Sequence, residues 1–384
     1  MMTNTRYKQT EIGRIPEDWE VKMLKEITSH FKSGYSITSA SIFIDGEYPV
    51  YGGNGLRGFT NNYTHDGDYV LIGRQGALCG NLNYVSGKNF ISEHAIVVDS
   101  NAISLDKYLF YALVRLNLNS LSESSAQPGL SVEKIIKLKI PLPPLPEQTA
   151  IAAALSDADA YIESLELLLE KKRQVKQGAM QELLRPGEGW EEKKLGEVIS
   201  VFRGGSPRPI QNFITDKPGG TNWIKIADTS ATGKYIVSAN EKIIQEGEKF
   251  SRKVNVGDFL LSNSMSFGRP YVLKIDGCIH DGWLVLQNYQ ESFVTEFLYY
   301  LLSSKLILDQ YKSKAAGSSV LNLNKELVST VLLSFPDLTE QNRIANILSD
   351  MDTEIGAIGE ALEKARQMKQ GMMQELLTGK IRLV

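Results

Sequence analysis

Aligned with itself at an offset of 193 residues, the chain falls into register twice over without a gap. Glu147-Gln148 matches Glu340-Gln341, Leu155-Ser156-Asp157 matches Leu348-Ser349-Asp350, and Lys176 to Leu184 matches Lys369 to Leu377 with only Ala179 and Met372 differing. Internal repetition decides architecture before any single motif does, because each copy must fold the same way. Here each copy ends in a segment patterned as a long helix, which cannot bury an apolar stripe alone. The two segments are expected to bury theirs against each other.

The helical reading rests on spacing. Apolar residues recur at Ile151, Leu155, Ala158, Ile162, Leu165 and Leu169, and again at Ile344, Leu348, Met351, Ile355, Ile358 and Leu362. Steps of four and three make a heptad seam. The pairing positions are thus Ile151, Leu155, Ile162, Leu165, Leu169, Ile344, Leu348, Ile355, Ile358 and Leu362. No proline interrupts residues 147–185 or 337–384, while Pro146 and Pro336 stand at the entries, where proline is tolerated. At 1.5 Å per residue such a segment makes a rod of roughly 57 Å. A rod that long acts as a spacer.

Between the rods the chain changes character. Short β-patterned runs such as Tyr69-Val70-Leu71-Ile72, Ala95-Ile96-Val97-Val98, Phe259-Leu260-Leu261 and Trp283-Leu284-Val285-Leu286 sit among most of the Gly, Tyr and Trp residues. These runs predict one globular α+β domain per copy. The predicted division is 1–145 for the first domain, 146–185 for the first helical region, 186–336 for the second domain and 337–384 for the second helical region. Trp19 and Leu24 match Trp190 and Leu195 at an offset of 171, and Gly67-Asp68 matches Gly257-Asp258 at 190. The domains therefore share a skeleton and differ in their loops. Two different things are read through one shared frame.

Charge is permissive for nucleic acid and does not announce it. The net charge is −3. Each rod carries seven acidic and four basic residues, about −6 for the pair, so the remainder is about +3. Only Cys79 and Cys278 occur, too few for a disulfide framework or a cysteine zinc site. The start lacks the apolar core of a signal peptide, no run approaches a membrane span, and a cytoplasmic location is expected.

A search for catalytic machinery returns little. There is no G-x-x-x-x-G-K-[ST] phosphate loop. Gly53-x-Gly55-x-x-Gly58 fits the letters of a dinucleotide fingerprint but leads into Phe59-Thr60-Asn61-Asn62, read as a loop and not a helix. His30, His65, His94 and His280 show no ligand spacing. Glu93-His94 and His280-Asp281 occupy similar places before the last strand of each domain, where they can orient a loop. No Asn-Pro-Pro-aromatic tetrapeptide is present to grip a target amine. By elimination the chain binds and positions.

Four loops at matching places are the candidate binding elements. They are Tyr51 to Gly58, with Asn54 and Arg57; Gly73 to Asn81, with Arg74, Gln75 and Asn81; Arg203 to Arg208, with Ser206; and Ser262 to Arg269, with Asn263 and Ser264. Glycine allows close backbone approach. Arg pairs bidentately with guanine, and Asn or Gln with adenine. Arg74, Gln75, Asn263 and Ser264 follow rigid strands and are the expected base readers, whereas Arg57, Arg203, Arg208 and Arg269 suit base or phosphate.

The run Pro-Leu-Pro-Pro-Leu-Pro-Glu-Gln-Thr-Ala-Ile (141–151), the helix end Gln-Gly-Ala-Met-Gln-Glu-Leu-Leu (177–184), their echoes at 335–344 and 370–383, and Ile-Pro-Glu-Asp-Trp (15–19) together resemble the specificity subunit of Type I restriction-modification enzymes, over the whole chain. The resemblance implies two target recognition domains alternating with two helical regions that pair as an antiparallel coiled coil, with an internal pseudo-two-fold. It further implies double-stranded DNA as ligand, two methyltransferase subunits and restriction subunits as partners, and no catalysis or cofactor in this chain. S-adenosylmethionine, ATP and Mg would belong to the partners. The alternative is a non-catalytic coiled-coil scaffold whose two globular domains bind protein or glycan.

Overall fold

The computed structural model describes residues 6–76, 78–121, 129–230, 233–263, 267–315 and 323–383. The chain divides into two compact units, Met1–Leu167 with Glu360–Val384, and Leu168–Gly359. Each unit thus holds one β-rich domain together with a piece of both long helices, Leu145–Leu183 and Leu338–Leu376.

In the first unit an antiparallel sheet runs in the order Thr28–Ser33, Ala95–Ser100, Tyr69–Gly73, Leu82–Val85. The apolar runs do not alternate with polar residues because the sheet is covered on both faces. Val70, Ile72, Ile96 and Val98 pack into the core around Trp19 and the helix Asp106–Arg115, while Leu71, Ala95 and Val97 face a second cluster with Val85 and Ile91. A second sheet pairs Tyr48–Gly52 antiparallel with Gly55–Thr60 and parallel with Lys88–Ile91. Phe59 and Thr60, expected in a loop, therefore lie in a strand. Gly53-Asn54 forms a two-residue hairpin connection, which suits glycine and asparagine. At Gly58 φ is +144° and a side chain would meet the Phe43 carbonyl, so the glycine there serves a β-hairpin and no nucleotide turn.

The second unit repeats the plan with insertions. Its larger sheet orders Ser200–Arg203, Trp283–Gln287, Phe259–Ser262, Pro270–Leu273 and Tyr235–Ile236. Its smaller sheet places Thr221–Ile224 parallel to Gly277–Ile279, as Tyr48–Gly52 lies parallel to Lys88–Ile91.

The duplicated Glu-Gln explains how each long helix is seated. Gln148 is fully buried; its Nε2 donates to the carbonyls of Pro143 (2.8 Å) and Ile103 (3.0 Å), and its Oε1 accepts from Leu105 N–H (2.9 Å). Gln341 repeats this with Pro336 (2.9 Å), Ser292 (2.9 Å) and Val294 N–H (3.0 Å). Every polar atom of a buried amide is satisfied, so the helix start is fixed to its domain.

Within each unit the helices run antiparallel. In the first, Ile151 and Leu155 share a core with Leu376 and Leu377, and further along Asp159 pairs with Lys369 and Glu166 with Arg366. In the second, Leu184 shares a core with Ile344 and Leu348, Lys176 pairs with Asp352 and Lys172 with Glu354. One number rises as the other falls. Of the seam positions Ile151, Leu155, Leu165, Leu169, Ile344, Leu348 and Leu362 are buried, and Ile162, Ile355 and Ile358 half-buried.

The same side-chain cluster closes both crossings. Tyr111 OH donates to Asp159 Oδ2 at 2.7 Å beneath Lys369, and Tyr300 OH donates to Asp352 Oδ2 at 2.7 Å beneath Lys176. The residues at offset 193 have exchanged helices: the Asp comes from the first helix and the Lys from the second in one unit, and the reverse in the other.

Candidate nucleic-acid interface

In the second unit the candidate residues gather at one corner, where the loops after three strands meet. Gly204 N–H donates to the Trp283 carbonyl (2.8 Å) and Gly205 N–H to that of Ile279 (3.2 Å), seating the loop after Ser200–Arg203 against the turn 280–282. A Cβ at Gly204 would lie 1.9 Å from the His280 carbonyl, so only glycine passes there. The turn presents Asp281, and four predicted residues converge on it. Ser206 Oγ donates to Asp281 Oδ1 (3.0 Å), Arg208 Nη2 to Oδ2 (3.0 Å), Asn263 Nδ2 to the carbonyl (3.1 Å) and Arg203 Nε, more weakly, to the same carbonyl (3.4 Å). Burial raises the Asp281 pKa, but the hydrogen bonds from Ser206 and Arg208 outweigh it and hold the carboxyl below its usual value. The corner borders a cleft of about 840 Å³ whose walls include Pro207, Ile210, Trp223 and His280. Burial lowers the His280 pKa against the opposing pull of the Asp281 carboxylate, and Gly282 N–H donates to His280 Nδ1 at 2.8 Å, so the fold favours the neutral ring with Nδ1 as acceptor.

Exposure separates the roles. Arg208 is 80% exposed, whereas Asn263 is 5% exposed with its Oδ1 buried and unpartnered among the described residues. Arg269 lies elsewhere, over the Tyr271 ring and donating to the Gly233 carbonyl at 3.0 Å. Ser264 falls outside the described residues.

The first unit builds the equivalent corner. Arg74 N–H donates to the His94 carbonyl and Leu130 N–H to that of Arg74 (both 3.0 Å), as Asn263 N–H donates to Gly282 (3.2 Å) and Leu323 N–H to Asn263 (2.9 Å). Arg74 and Asn263 therefore occupy one position in two copies. Arg74 is half-buried, its Nη1 donating to Ser33 Oγ at 3.1 Å, and Gln75 beside it is exposed. The hairpin turn at Gly53-Asn54 packs on Gly73 so closely that a Cβ at Gly73 would lie 2.2 Å from the Gly53 carbonyl. Asn81 accepts Gly73 N–H through its carbonyl at 2.8 Å. The exposed Asn54, Gln75 and Asn81 thus meet at one strand end; Arg57 is exposed on the neighbouring strand with its stem against Gly52.

Two residues at these corners stand outside the expected set. Tyr35, 61% exposed, holds the place of Gly205, and Glu93 holds that of Asp281. The matched Glu93-His94 and His280-Asp281 pairs signalled a loop-orienting acid; nothing in the sequence signalled Tyr35.

Among the described residues no group of three His, Cys, Asp or Glu side chains is placed to hold a metal, and no helix is long and apolar enough to cross a membrane. Two β-rich domains, each followed by a long helix that pairs with its copy, define a duplicated recognition module. The Type I restriction modification DNA specificity domain matches residues 16–176 and 187–365, and the chain belongs to that family, whose subunits supply specificity and not catalysis. It is 44% identical over 119 residues to the EcoprrI specificity subunit of Escherichia coli, covering 31% of this chain and 29% of that one. Over nearly full length it is 25% identical to the MjaVIII specificity subunit of Methanocaldococcus jannaschii, covering 98% and 96%. The fold matches the crystal structure of the S subunit from M. genitalium with a TM-score of 0.65 at 17% identity, covering 97% and 99%.

Proposed function

We propose that each β-rich domain reads one half of an asymmetric, bipartite double-stranded DNA sequence, and that the helical regions seat two methyltransferase subunits and, in the full enzyme, restriction subunits. The division of labour follows 1–145 and 186–336 for recognition and 146–185 and 337–384 for spacing, in a cytoplasmic complex. The partners supply S-adenosylmethionine, ATP and Mg; this chain supplies the address.

The observation that carries this reading is the pair of equivalent corners with different side chains, Arg74 in one and Asn263 in the other. One scaffold with two sets of loops reads two different half-sites. Exposed Asn54, Arg57, Gln75, Asn81, Arg203 and Arg208 are the surface readers, with Arg74 at the strand end. Buried Asn263 shapes the second corner from behind, and Ser264 and Arg269 are proposed as further DNA contacts. An Arg contacting guanine would carry about 1–3 kcal/mol of discrimination at its position.

The test is single-molecule sequencing of DNA from cells expressing this chain with its methyltransferase subunit, mapping N6-methyladenine. A split motif with unlike halves and unspecified bases between them is expected. Palindromic or continuous motifs would overturn the two-reader assignment, and absence of any motif would favour the protein- or glycan-binding scaffold.

A further inference from the structure

Around the second corner the side-chain hydrogen bonds of Arg203, Ser206, Arg208 and Asn263 all lead to Asp281, yet a carboxylate is the wrong charge for a surface that meets phosphate. Resting on the DNA-reading function proposed above, we infer that Asp281 is a specificity-determining residue that holds Arg208 away from DNA phosphates and releases it only to a matching base edge. The carboxylate occupies Arg208 Nη2 at 3.0 Å and Ser206 at 3.0 Å, so this 80% exposed cation already has an anionic partner. A phosphate oxygen offers Arg208 nothing that Asp281 does not, and brings a negative charge beside a carboxylate. A guanine edge offers two neutral acceptors in bidentate geometry without that repulsion. Discrimination arises from a cost imposed on the wrong ligand as much as from attraction to the right one.

The position is acidic in both copies. Glu93 stands at the equivalent turn of the first unit, with Oε2 buried and without a hydrogen-bond partner among the described residues. Among the described residues Glu93 pairs with no arginine, its nearest basic group being His94 Nε2 at 3.8 Å from Oε1, so the acid stands there without a held arginine.

The experiment uses the chain assembled with its methyltransferase subunits and two duplexes, one bearing the mapped motif and one with the second half-site scrambled, titrated over a range of salt. Asp281→Asn keeps the shape and the Ser206 contact and removes the charge. The scrambled duplex should bind about tenfold tighter than to wild type, a gain of one charge-assisted contact. Its dependence on log salt should steepen by about one, the signature of one more neutralised phosphate. Adding Arg208→Ala to Asp281→Asn should return both to wild-type values. Arg208→Ala alone should leave the salt dependence on scrambled DNA unchanged; a slope shallower by about one would mean that Arg208 already grips phosphate, and would overturn the inference even where Asp281→Asn fails to fold. Equal weakening on both duplexes, or no change on either, would reduce Asp281 to a loop support. A wild-type complex that fails to distinguish the two duplexes would instead sink the DNA-reading function itself.

Discussion

Arg382 and Glu147, 235 positions apart in the chain, form a two-pronged ion pair, Nε to Oε1 at 2.6 Å and Nη2 to Oε2 at 2.8 Å. Glu147 is 1% exposed, and Trp19 Nε1 donates to its Oε2 at 2.8 Å. Removing the guanidinium leaves a buried carboxylate without its counter-charge. Arg382→Ala should therefore cost about 3–5 kcal/mol, read as a lower urea midpoint for the first unit. Adding Glu147→Gln should recover part of the loss. The matched Glu340 is only half-buried, its side chain 38% exposed, and pairs with the solvent-facing Arg343, so Arg343→Ala should leave the unfolding curve unchanged.

Leu165 is 9% exposed while Leu167, two residues on, is 67% exposed. Leu165→Asp buries an unpaired charge in the helix seam and should cost several kcal/mol and abolish complex formation. Leu167→Asp is the control and should leave thermal stability and the methylation pattern intact. Equal behaviour of the two variants would place the seam on another face.

The second corner should weaken in acid. The folded pKa of His280 lies below its ordinary value of 6.5, so the fold prefers the neutral ring. Its contribution is complete above pH 6.5 and is lost as pH falls from there through the depressed folded value. Protonation also removes Nδ1 as the acceptor for Gly282 N–H. Hydrogen exchange at residues 280–282 should rise between pH 7 and pH 5, and His280→Asn should flatten that rise; identical pH profiles for the two proteins would refute it.

Inserting one matched heptad into both long helices adds about 10 Å of helix, or roughly three base pairs of DNA. The unspecified gap in the methylated motif should lengthen while both half-sites persist. A change in half-site bases would show that the helices do more than set distance.

Arg74→Ala should broaden one position of one half-site, by about 1–3 kcal/mol of lost discrimination. Asn263→Ala, acting on a 5% exposed support, should broaden the other half-site without flattening the salt dependence of binding. A uniform loss of affinity with an intact motif would make Arg74 a phosphate clamp.

The long helices were legible because periodicity and duplication both report them: a stripe at Ile151, Leu155, Leu165 and Leu169 has one helical explanation. The strands Tyr69–Gly73 and Phe259–Ser262 were legible as apolar runs bounded by glycine and polar residues. The strand Gly55–Thr60 was not, because two glycines and an exposed Arg57 carry no apolar alternation, and the hairpin is imposed by pairing with Tyr48–Gly52. At the corners the correspondence of Arg74 with Asn263 could be read from the preceding strands. The burial of Asn263 and the convergence on Asp281 could not, since both depend on contacts 18 to 78 positions apart. The Glu147–Arg382 bridge had no local signal at all; only one copy of the repeat carries it.

The exchange of helix ends between units sets an order on biosynthesis. Met1–Leu167 completes its core with Leu376 and Leu377, which are translated after the whole of the second unit. At about 5–20 residues per second, some 10–40 s separate synthesis of residue 167 from that of residue 360. During that interval Ile151 and Leu155 have no helix to lie against, although their domain is already translated. The nascent first half keeps that apolar stripe uncovered until the second long helix is made, while the second unit, contiguous from 168 to 359, can close as soon as it emerges.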